Sequence, residues 1–394
     1  MTDIKNEYIV FGKPDIQQDE IDEVVDTLKS GWLGTGPKVK RFEKEFAAYK
    51  SIDTKNVSAV NSCTAALHLS LLAAGITEGD EVITTGLTFC ATVNAIIHSK
   101  ATPVLVDIEP DFYNIDPEKI EEKITPKTKA IIPVHFSGVA CDMDKIMTIA
   151  KKHDLIVIED CAHSIEGEYK GKKLGTIGDF GCFSFYVTKN MTTGEGGMVV
   201  TKNKEHSSRI KTLALHGMSS DAWKRFSDDG YKHYEVVEPG YKYNMSDIQA
   251  SIGIHQLRRL DDNLLKRKQV FDFYNKNLHG LPIILSAQPN NEIKHCHHLY
   301  TVILNKKTNR ERLIKYLHNK GVGIGIHYKS ILSHGYYRDS LGKNNSTPTA
   351  ERISKCILSI PISSSISIKE QKIIIQIFQE FFEMTRSENK SINE

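Results

Sequence analysis

The stretch CFSFYVTKNMTTGEGGMVVT, from Cys182 to Thr201, contains the residue from which the rest of this sequence is best understood. Its first half has the apolar pattern of a buried strand, and GMVVT at its end predicts a second strand. Lys189 lies in the bend between them. An ammonium group is costly to bury unless it is paired or its pKa falls, and a lysine with a lowered pKa is a nucleophile. Two hypotheses are open at this point: a reactive lysine, or an ordinary hairpin whose turn carries a lysine.

The composition is typical of a globular protein with a large core. The chain has 394 residues, of which 40% are hydrophobic and 25% charged, and its 51 basic and 49 acidic side chains give a net charge of +2. This balance gives no reason to expect a nucleic-acid or membrane partner. The N-terminus lacks an apolar core of signal-peptide length, and no apolar run approaches a membrane span. Seven cysteines without a CxxC pair indicate reduced thiols and a cytoplasmic protein.

Short apolar runs alternate with helical patterns over residues 57–201. The segments that we interpret as buried strands are VSAV, EVITT, TPVLVD, KAIIPVHF, LIVIED, FGCFSF and GMVVT. Between two of them, DMDKIMTIAKKH places apolar residues at helical spacing. Repetition of strand, helix and strand predicts an α/β fold with a mostly parallel central sheet flanked by helices.

The second part of the chain has a different pattern. A long helix is predicted from Ser246 to about His279, followed by HHLYTVIL as a strand, NRERLIKYLHNK as a helix and GVGIGIHY as a strand. A last amphipathic helix begins near Ser367. We expect a large domain of residues 1–265 and a smaller C-terminal α+β domain of residues 266–394.

Polar or reactive side chains follow four of the predicted strands. Asn61–Ala66 opens an apolar helix, Phe89 follows EVITT, Asp160 ends LIVIED, and Lys189 follows FGCFSF. Ligands of a parallel sheet bind at the carboxyl ends of its strands, and a helix start that is rich in small residues can hold a phosphate. Taken singly, the helix start could be a plain N-cap and the aromatic ring a core residue.

Together these four groups match the needs of one cofactor. Pyridoxal 5'-phosphate requires a lysine for its aldehyde, an anion opposite its ring nitrogen, a flat stacking surface and a phosphate site. The sequence therefore predicts a pyridoxal-phosphate enzyme with Lys189 at its centre.

Several ordered motifs resemble the DegT/StrS-type family of pyridoxal-phosphate-dependent sugar-nucleotide aminotransferases. The matching stretches are SGWLGTGPKVKRFEKEFAAY, NSCTAALHLSL, EDCAHSIEGEYKGKKLGTIGDFGCFSFYVTKNMTTGEGGMV, LHGM, PGYKYNMSDIQASIGIHQL and GIGIHY. They extend over nearly the whole chain. The resemblance implies an aspartate-aminotransferase-like fold of type I.

The resemblance also implies roles for particular residues. Lys189 is similar to the Schiff-base lysine that moves the proton, Asp160 to the acid paired with the pyridine nitrogen, and His163 to the neighbour of the ring's phenolic oxygen. Phe89 resembles the stacking aromatic, and Asn244 a residue that reaches the cofactor of the other subunit, which implies a homodimer with shared active sites. Residues that resemble the remaining cofactor contacts are Ser62, Cys63, Thr64, Ala65 and Ser184, although Cys63 stands where the family frequently has glycine.

Candidate substrate-binding residues are His327, Tyr328, Trp32 and Lys224, the last next to Arg225. For the first two, packing is an equally good explanation, and for the two basic residues a solvated charge pair is the default. The run Lys294–His298 invites a metal hypothesis, but adjacent residues of an extended segment point to opposite faces, so we expect no metal.

The leading hypothesis is transfer of an amino group from L-glutamate to a nucleotide-linked 4-keto-6-deoxyhexose. The product would be a 4-amino-4,6-dideoxy sugar for a surface glycan such as lipopolysaccharide O-antigen. Alternatives are a 3-keto-sugar aminotransferase, a pyridoxal-phosphate-dependent dehydratase or epimerase, and a non-catalytic sensor of the cofactor. Family members that act as dehydratases replace the lysine by histidine, so the presence of Lys189 favours transamination.

Overall fold

The computed structural model describes residues 8–219, 234–341 and 345–391. The strands are β1 Val57–Val60, β2 Glu81–Thr85, β3 Thr102–Val106, β4 Thr128–Ile132, β5 Ile156–Asp160, β6 Glu168–Tyr169, β7 Lys172–Lys173, β8 Phe180–Ser184, β9 Gly197–Thr201, β10 Ile283–Leu285, β11 Ile293–Lys294, β12 Tyr300–Leu304 and β13 Ile357–Ile360. The helices are α1 Gln18–Ser30, α2 Pro37–Lys50, α3 Cys63–Ala73, α4 Cys90–His98, α5 Met143–His153, α6 Lys204–Ala214, α7 Asp247–Arg258, α8 Leu260–Leu278, α9 Arg310–Asn319, α10 Gly335–Ser340, α11 Pro348–Ser354 and α12 Ile368–Ser391.

A seven-stranded sheet with the order β1-β9-β8-β5-β4-β2-β3 contains all seven strands that the apolar runs predict. Neighbours from β8 to β3 pair in parallel, whereas β9 is antiparallel to both β1 and β8. The prediction of a mostly parallel sheet flanked by helices is thus confirmed. Because β9 runs in the opposite direction, its start lies at the edge where the other strands end.

The two faces of this sheet are buried against different helices. In β5, Val157 belongs to one apolar cluster together with Phe42 and Phe46 of α2, and Ile158 belongs to another together with Leu67 of α3. Successive side chains of a strand point to opposite faces, so an all-apolar strand needs cover on both sides. This arrangement leaves the carboxyl-terminal edge of the sheet as the place where polar side chains accumulate.

A three-stranded sheet of β10, β12 and β13 forms a separate core with α8, α9 and α12. The predicted strand HHLYTVIL contains β12, and the predicted helices correspond to α9 and α12. The predicted boundary between residues 265 and 266 falls inside α8, and the division into two domains stays a prediction. None of the described helices is both long and apolar enough to cross a membrane.

The prediction of one long helix from Ser246 to His279 is wrong, because the segment forms α7 and α8 with a break at Arg259. This residue has φ −98° and ψ 5°, outside the helical range. Its guanidinium lies 2.6 Å from the carboxylate of Glu20, which is buried, and donates to the carbonyl of Asp15. A tertiary ion pair therefore accompanies a break that local helical periodicity does not indicate.

The prediction of a strand over GVGIGIHY is also wrong. The segment makes only isolated bridges in the described chain, one from Val322 to Ile9 and one from Gly325 to Ser359. The segment contains glycines at positions 321, 323 and 325, which lack the side chains that stabilise a continuous strand. His327 and Tyr328 therefore lie on an irregular segment.

The start of α2 depends on a carboxylate from another helix. Asp247, fully buried at the start of α7, accepts hydrogen bonds from the backbone N–H groups of Gly36, Lys38 and Val39 at 2.8 to 3.0 Å. These are donors that a helix N-terminus leaves without intrahelical partners. The carboxylate holds the loop before α2 against α7.

We expect Asp247→Ala to lower the free energy of unfolding by ~3 kcal/mol or more, because several buried donors lose a charged acceptor. Urea denaturation at a fixed protein concentration measures the change. Asp262→Ala is the matched control, because Asp262 is an exposed acidic residue in the first turn of α8. Similar losses in both variants would contradict this account of α2.

Candidate active site

A cavity of about 520 Å³ opens at the carboxyl-terminal edge of the seven-stranded sheet. The residues that sequence reasoning assigned to cofactor or substrate and that line this cavity are Ser62, Cys63, Thr64, Phe89, Asp160, His163, Ser184, Lys189, His327 and Tyr328. Residues that are more than 200 positions apart in the chain are thus brought together. Ligand sites of small molecules commonly have this size and this position on an open α/β sheet.

Lys189 lies in the connection between β8 and β9, where its backbone N–H donates to the carbonyl of Tyr186 at 2.9 Å. The side chain is half-buried and faces the cavity. Burial lowers the pKa of its amine to about 8, against an opposing effect of the nearby Asp160 carboxylate. A lysine in this state is partly unprotonated near neutral pH and can act as a nucleophile or as a base.

Asp160 ends β5 and is held by two donors. Its Oδ2 accepts from the hydroxyl of Thr92 at 2.8 Å and its Oδ1 from the N–H of Ala162 at 3.1 Å. Since Thr92 donates to the carboxylate, it accepts from the hydroxyl of Thr88, 2.9 Å away. Burial raises the pKa of Asp160, although these donors and Lys189 act in the opposite direction. A cation at this place would favour the ionised carboxylate.

The N-terminus of α3 lies beside the start of β9. Ser62 is the N-cap of α3, because its hydroxyl accepts a hydrogen bond from the backbone N–H of Ala65 at 3.1 Å. The helix start is therefore an N-cap, as one of the two interpretations of the sequence predicts. A Cβ at Gly197 would lie 2.5 Å from the carbonyl carbon of Ser62, so only glycine permits this close approach. The helix start, with Cys63 and Thr64 on the cavity wall, has the form of an anion site.

The hydrogen bonds of His163 determine which of its nitrogens carries the hydrogen. Its Nδ1 accepts from the N–H of Ser137 at 3.3 Å, and its Nε2 lies 2.9 Å from the hydroxyl of Tyr328. A neutral imidazole with Nδ1 as acceptor donates from Nε2, so the hydroxyl of Tyr328 accepts. Burial and the neighbouring Lys189 lower the pKa of His163 well below its usual range. The hydroxyl hydrogen of Tyr328 remains free to point into the cavity.

Several candidate residues lie elsewhere. Ala65 is buried and its N–H already donates to Ser62, and Trp32 is 49% exposed, with its indole donating to the carbonyl of Thr35. Asn244 donates to the hydroxyl of Thr35 at 2.7 Å, and its buried Oδ1 has no hydrogen-bond partner among the described residues. Neither Trp32 nor Asn244 lines the cavity of its own chain. Lys224 and Arg225 lie outside the described residues.

The histidines of the run Lys294–His298 are used in packing and hydrogen bonds. The rings of His295 and His297 are 4.2 Å apart and both pack against Phe271, while His298 is turned toward Asn190. Among the described residues, three possible metal ligands converge at His135, Glu159 and Cys161. There the carboxylate of Glu159 lies 3.0 Å from the ring of His135 and accepts hydrogen bonds from three backbone N–H groups. These hydrogen bonds account for the position of Glu159 beside His135.

Comparison with known protein families assigns the chain to one of them. The DegT/DnrJ/EryC1/StrS aminotransferase family matches residues 14–379. The chain belongs to this family. A relative in Bacillus subtilis, the spore coat polysaccharide biosynthesis protein SpsC, is 45% identical over 372 residues, covering 93% of this chain and 95% of the relative. An uncharacterized protein of Methanocaldococcus jannaschii is 48% identical over 363 residues, covering 91% and 94%.

Solved structures of similar proteins agree with the family assignment. Spr1654 of Streptococcus pneumoniae, named as a sugar aminotransferase and solved in its PLP-form, has a TM-score of 0.89 and 34% identity over 96% of this chain and 99% of that chain. PseC of Helicobacter pylori, an aminotransferase involved in the biosynthesis of pseudoaminic acid, has a TM-score of 0.88 and 27% identity over 96% and 100%. This DegT-family chain is a pyridoxal-phosphate-dependent sugar aminotransferase with the type I fold.

The cavity residues fit the cofactor of the family. Lys189 would hold its aldehyde end, Asp160 its ring nitrogen, and the N-terminus of α3 with Ser184 its phosphate. The fit rests on the groups that reach the cavity: one amine of lowered pKa, one buried carboxylate and the N-terminal residues of α3. The role of each residue stays a prediction.

Sequence reasoning missed the two threonines behind Asp160. Thr88 and Thr92 line the cavity and are almost fully buried. Thr88 precedes the N-cap of α4 and Thr92 lies in its first turn, so the available signal was two hydroxyl side chains at the start of a helix that follows a buried strand. Their connection to Asp160 could not be anticipated, since 68 residues separate Thr92 from that carboxylate.

The lowered pKa of Lys189 makes its reactivity depend on pH. In protein freed of cofactor, we expect the rate of covalent addition of pyridoxal phosphate to Lys189 to rise about tenfold per pH unit and to level off above pH 8, because only the unprotonated amine adds. Borohydride trapping at each pH, followed by mass spectrometry of the labelled peptide, measures the rate. Lys189→Ala should give no trapped product, and a midpoint near the ordinary lysine value of 10.5 would contradict the expectation.

Proposed function

We propose that this aminotransferase moves an amino group from L-glutamate to carbon 4 of a nucleotide-linked 4-keto-6-deoxyhexose. The observation that carries the proposal is the single cavity that joins Lys189, Asp160 and the N-terminus of α3. UDP is the preferred nucleotide of the substrate. The product is a 4-amino-4,6-dideoxy sugar nucleotide.

The choice of carbon 4 rests on the segment Gly240–Ser246. Sequences of the family that read GYKYN here tend to act at carbon 4, whereas GYNxRLD tends to accompany 3-keto sugars. In the structure this segment runs beside the end of β1: the N–H of Asn61 donates to the carbonyl of Tyr243 at 2.7 Å, and Val60 bridges Asn244. Its residues are thus adjacent to the helix start that would hold the cofactor's phosphate. Side chains at this place can select which sugar carbon approaches the cofactor.

The residues of the cavity divide the chemical work between them. Bound pyridoxal phosphate supplies an aldehyde for amines and an electron-poor ring that stabilises negative charge on the attached carbon. Asp160 would face the ring nitrogen of the bound cofactor and favour its protonated form. The amine of Lys189 removes a proton from the donor carbon and returns one to the acceptor carbon. Tyr328, oriented by His163, presents its hydroxyl hydrogen to the cavity.

We infer that the active enzyme is a homodimer with shared sites. Phe89 and Tyr186 both line the cavity and are 57% and 44% exposed in the single chain, so they form apolar surface that a second subunit would cover. Asn244, with a buried oxygen that lacks a partner within the described chain, would complete the cavity of the other subunit. A two-fold axis would satisfy both sites at once.

The proposed setting is the cytoplasmic synthesis of a surface glycan such as lipopolysaccharide O-antigen. Seven unpaired thiols support a reducing compartment. The names of SpsC and PseC, which refer to polysaccharide and pseudoaminic acid biosynthesis, support the link to surface sugars. Dehydratase or epimerase chemistry on the same fold is the alternative, and the lysine at position 189 speaks against the dehydratase.

The regiochemistry is tested with the purified holoenzyme, L-glutamate, and matched UDP-linked 4-keto-6-deoxy and 3-keto-6-deoxy sugars. We expect turnover of the 4-keto compound and a new amine on carbon 4, assigned by NMR. The 2-oxoglutarate formed from the donor provides an independent count of turnovers. An amine on carbon 3, or activity with the 3-keto sugar alone, would refute the choice of carbon and leave the aminotransferase activity intact.

The shared site is tested by mixing two inactive variants. Lys189→Ala and Asn244→Ala chains, dissociated and reassociated together, should regain about a quarter of wild-type activity per chain, because random mixing makes half the dimers hybrids and each hybrid has one intact site. Differently tagged chains allow the hybrid to be purified and assayed directly. The same mixture of Lys189→Ala with Asp160→Ala is the control. Both residues line the cavity of their own chain, so each of the two cavities in a hybrid would carry one lesion and neither would be intact. No rescue in purified Lys189→Ala/Asn244→Ala hybrids would contradict the shared site.

A further inference from the structure

Asn190, the residue directly after Lys189, has its side-chain amide fully engaged in hydrogen bonds. Its Nδ2 donates to a carboxylate oxygen of Glu166 at 2.8 Å and to the carbonyl of Cys296 at 3.1 Å. Its Oδ1 lies 2.8 Å from Nδ1 of His298. Two distant segments of the chain, one at Glu166 and one at Cys296–His298, therefore hold the position next to the lysine.

These contacts settle the orientation of the amide and the tautomer of the histidine. Glu166 is buried and its carboxylate pairs with the guanidinium of Arg267, so its oxygens act as hydrogen-bond acceptors. The nitrogen of Asn190 must face this carboxylate, which leaves its oxygen for His298. Since an amide oxygen only accepts, Nδ1 of His298 carries the hydrogen.

The ring of His298 extends this arrangement to the cavity. It lies 4.4 Å from the ring of His163 at an angle of 35°. Ser137 contacts both histidines. Its carbonyl accepts from the backbone N–H of His298 at 3.2 Å, and its own backbone N–H donates to Nδ1 of His163 at 3.3 Å. Burial, with Lys189 nearby, lowers the pKa of His298 well below its usual range. Both rings are therefore neutral beside the lysine.

We propose that Asn190 and His298 are positioning residues for Lys189. They fix the backbone on the carboxyl side of the lysine, while its own N–H, bonded to Tyr186, fixes the other side. The amine then moves on a flexible side chain from a fixed origin. Because the partner of His298 is a neutral amide, no carboxylate stabilises a protonated imidazole at this place, and the amine of Lys189 exchanges protons with the cavity rather than with His298.

The first test changes charge with little change in shape. Asn190→Asp replaces the amide by a carboxyl group, with one oxygen toward His298 and the other against Glu166 in place of Nδ2. The negative charge added to this carboxylate pair would stabilise both a protonated His298 and a protonated Lys189. In protein freed of cofactor, we expect the midpoint pH for borohydride-trapped addition of pyridoxal phosphate to Lys189 to rise by about one unit. Asn277→Asp is the matched control, because Asn277 lies on α8 and donates only to the carbonyl of Phe273. Its midpoint should equal that of the wild type.

The second test separates the hydrogen bond from the packing of the ring. His298→Phe keeps a ring against His163 but has no donor, whereas His298→Asn places an amide nitrogen close to where the histidine has Nδ1. At pH 8 we expect addition of pyridoxal phosphate to slow about tenfold in His298→Phe and to stay within about threefold of wild type in His298→Asn, as expected for loss and retention of one buried hydrogen bond. A purely packing role would give the reverse order.

A measurement on the unchanged chain tests the tautomer directly. In protein labelled with ¹⁵N-histidine, the resonances lost in His298→Asn identify His298, and they should show hydrogen on Nδ1 and none on Nε2 at pH 8. Hydrogen on Nε2, or an unmoved midpoint in folded Asn190→Asp, would overturn the proposal. If Asn190→Asp does not fold, the tautomer and the order of the two His298 variants decide. No sugar substrate enters these experiments, so they are independent of which carbon receives the amine.

Discussion

An amine that is to act as a base near neutral pH must be kept away from water without being paired too strongly. Lys189 meets this condition at the edge of the central sheet, where burial lowers its pKa to about 8 and Asp160 offsets only part of that effect. A close ion pair would have held the amine protonated, and full exposure would have done the same. The carboxylate of Asp160 faces the cavity from the end of β5, and Lys189 faces the same cavity from the connection between β8 and β9.

The direction of one strand makes this arrangement possible. Because β9 is antiparallel to β8, the connection that carries Lys189 starts and ends at the same edge of the sheet. Gly197, at the start of β9, then lies against the carbonyl of Ser62, a contact that any side chain would prevent. The glycine-rich sequence after the lysine is thus a packing requirement of the helix start that would hold the phosphate.

Neutral polar groups surround the lysine in layers. Thr88 and Thr92 support Asp160 on one side, and Tyr328, His163 and the residues behind them form the other. The buried ion pair between Arg267 and Glu166 contacts Asn190, the residue after the lysine. Because the charges of Arg267 and Glu166 compensate each other, the pair can orient the amide of Asn190 without raising the pKa of Lys189.

Local patterns in the sequence were enough to predict the seven strands of the sheet and the positions of Lys189 and Asp160, because apolar periodicity and a charge at the end of a buried strand involve only neighbouring residues. These patterns did not predict the break at Arg259, where the side chain contacts Glu20 and Asp15, or the irregular course of His327 and Tyr328. Nor did they reveal the bonds of Asn190, since its partners are 24, 106 and 108 positions away. Hydrogen bonds between residues far apart in the chain produce no repeating pattern in the sequence. Which of them form depends on how the elements pack, and this is visible in the folded structure alone.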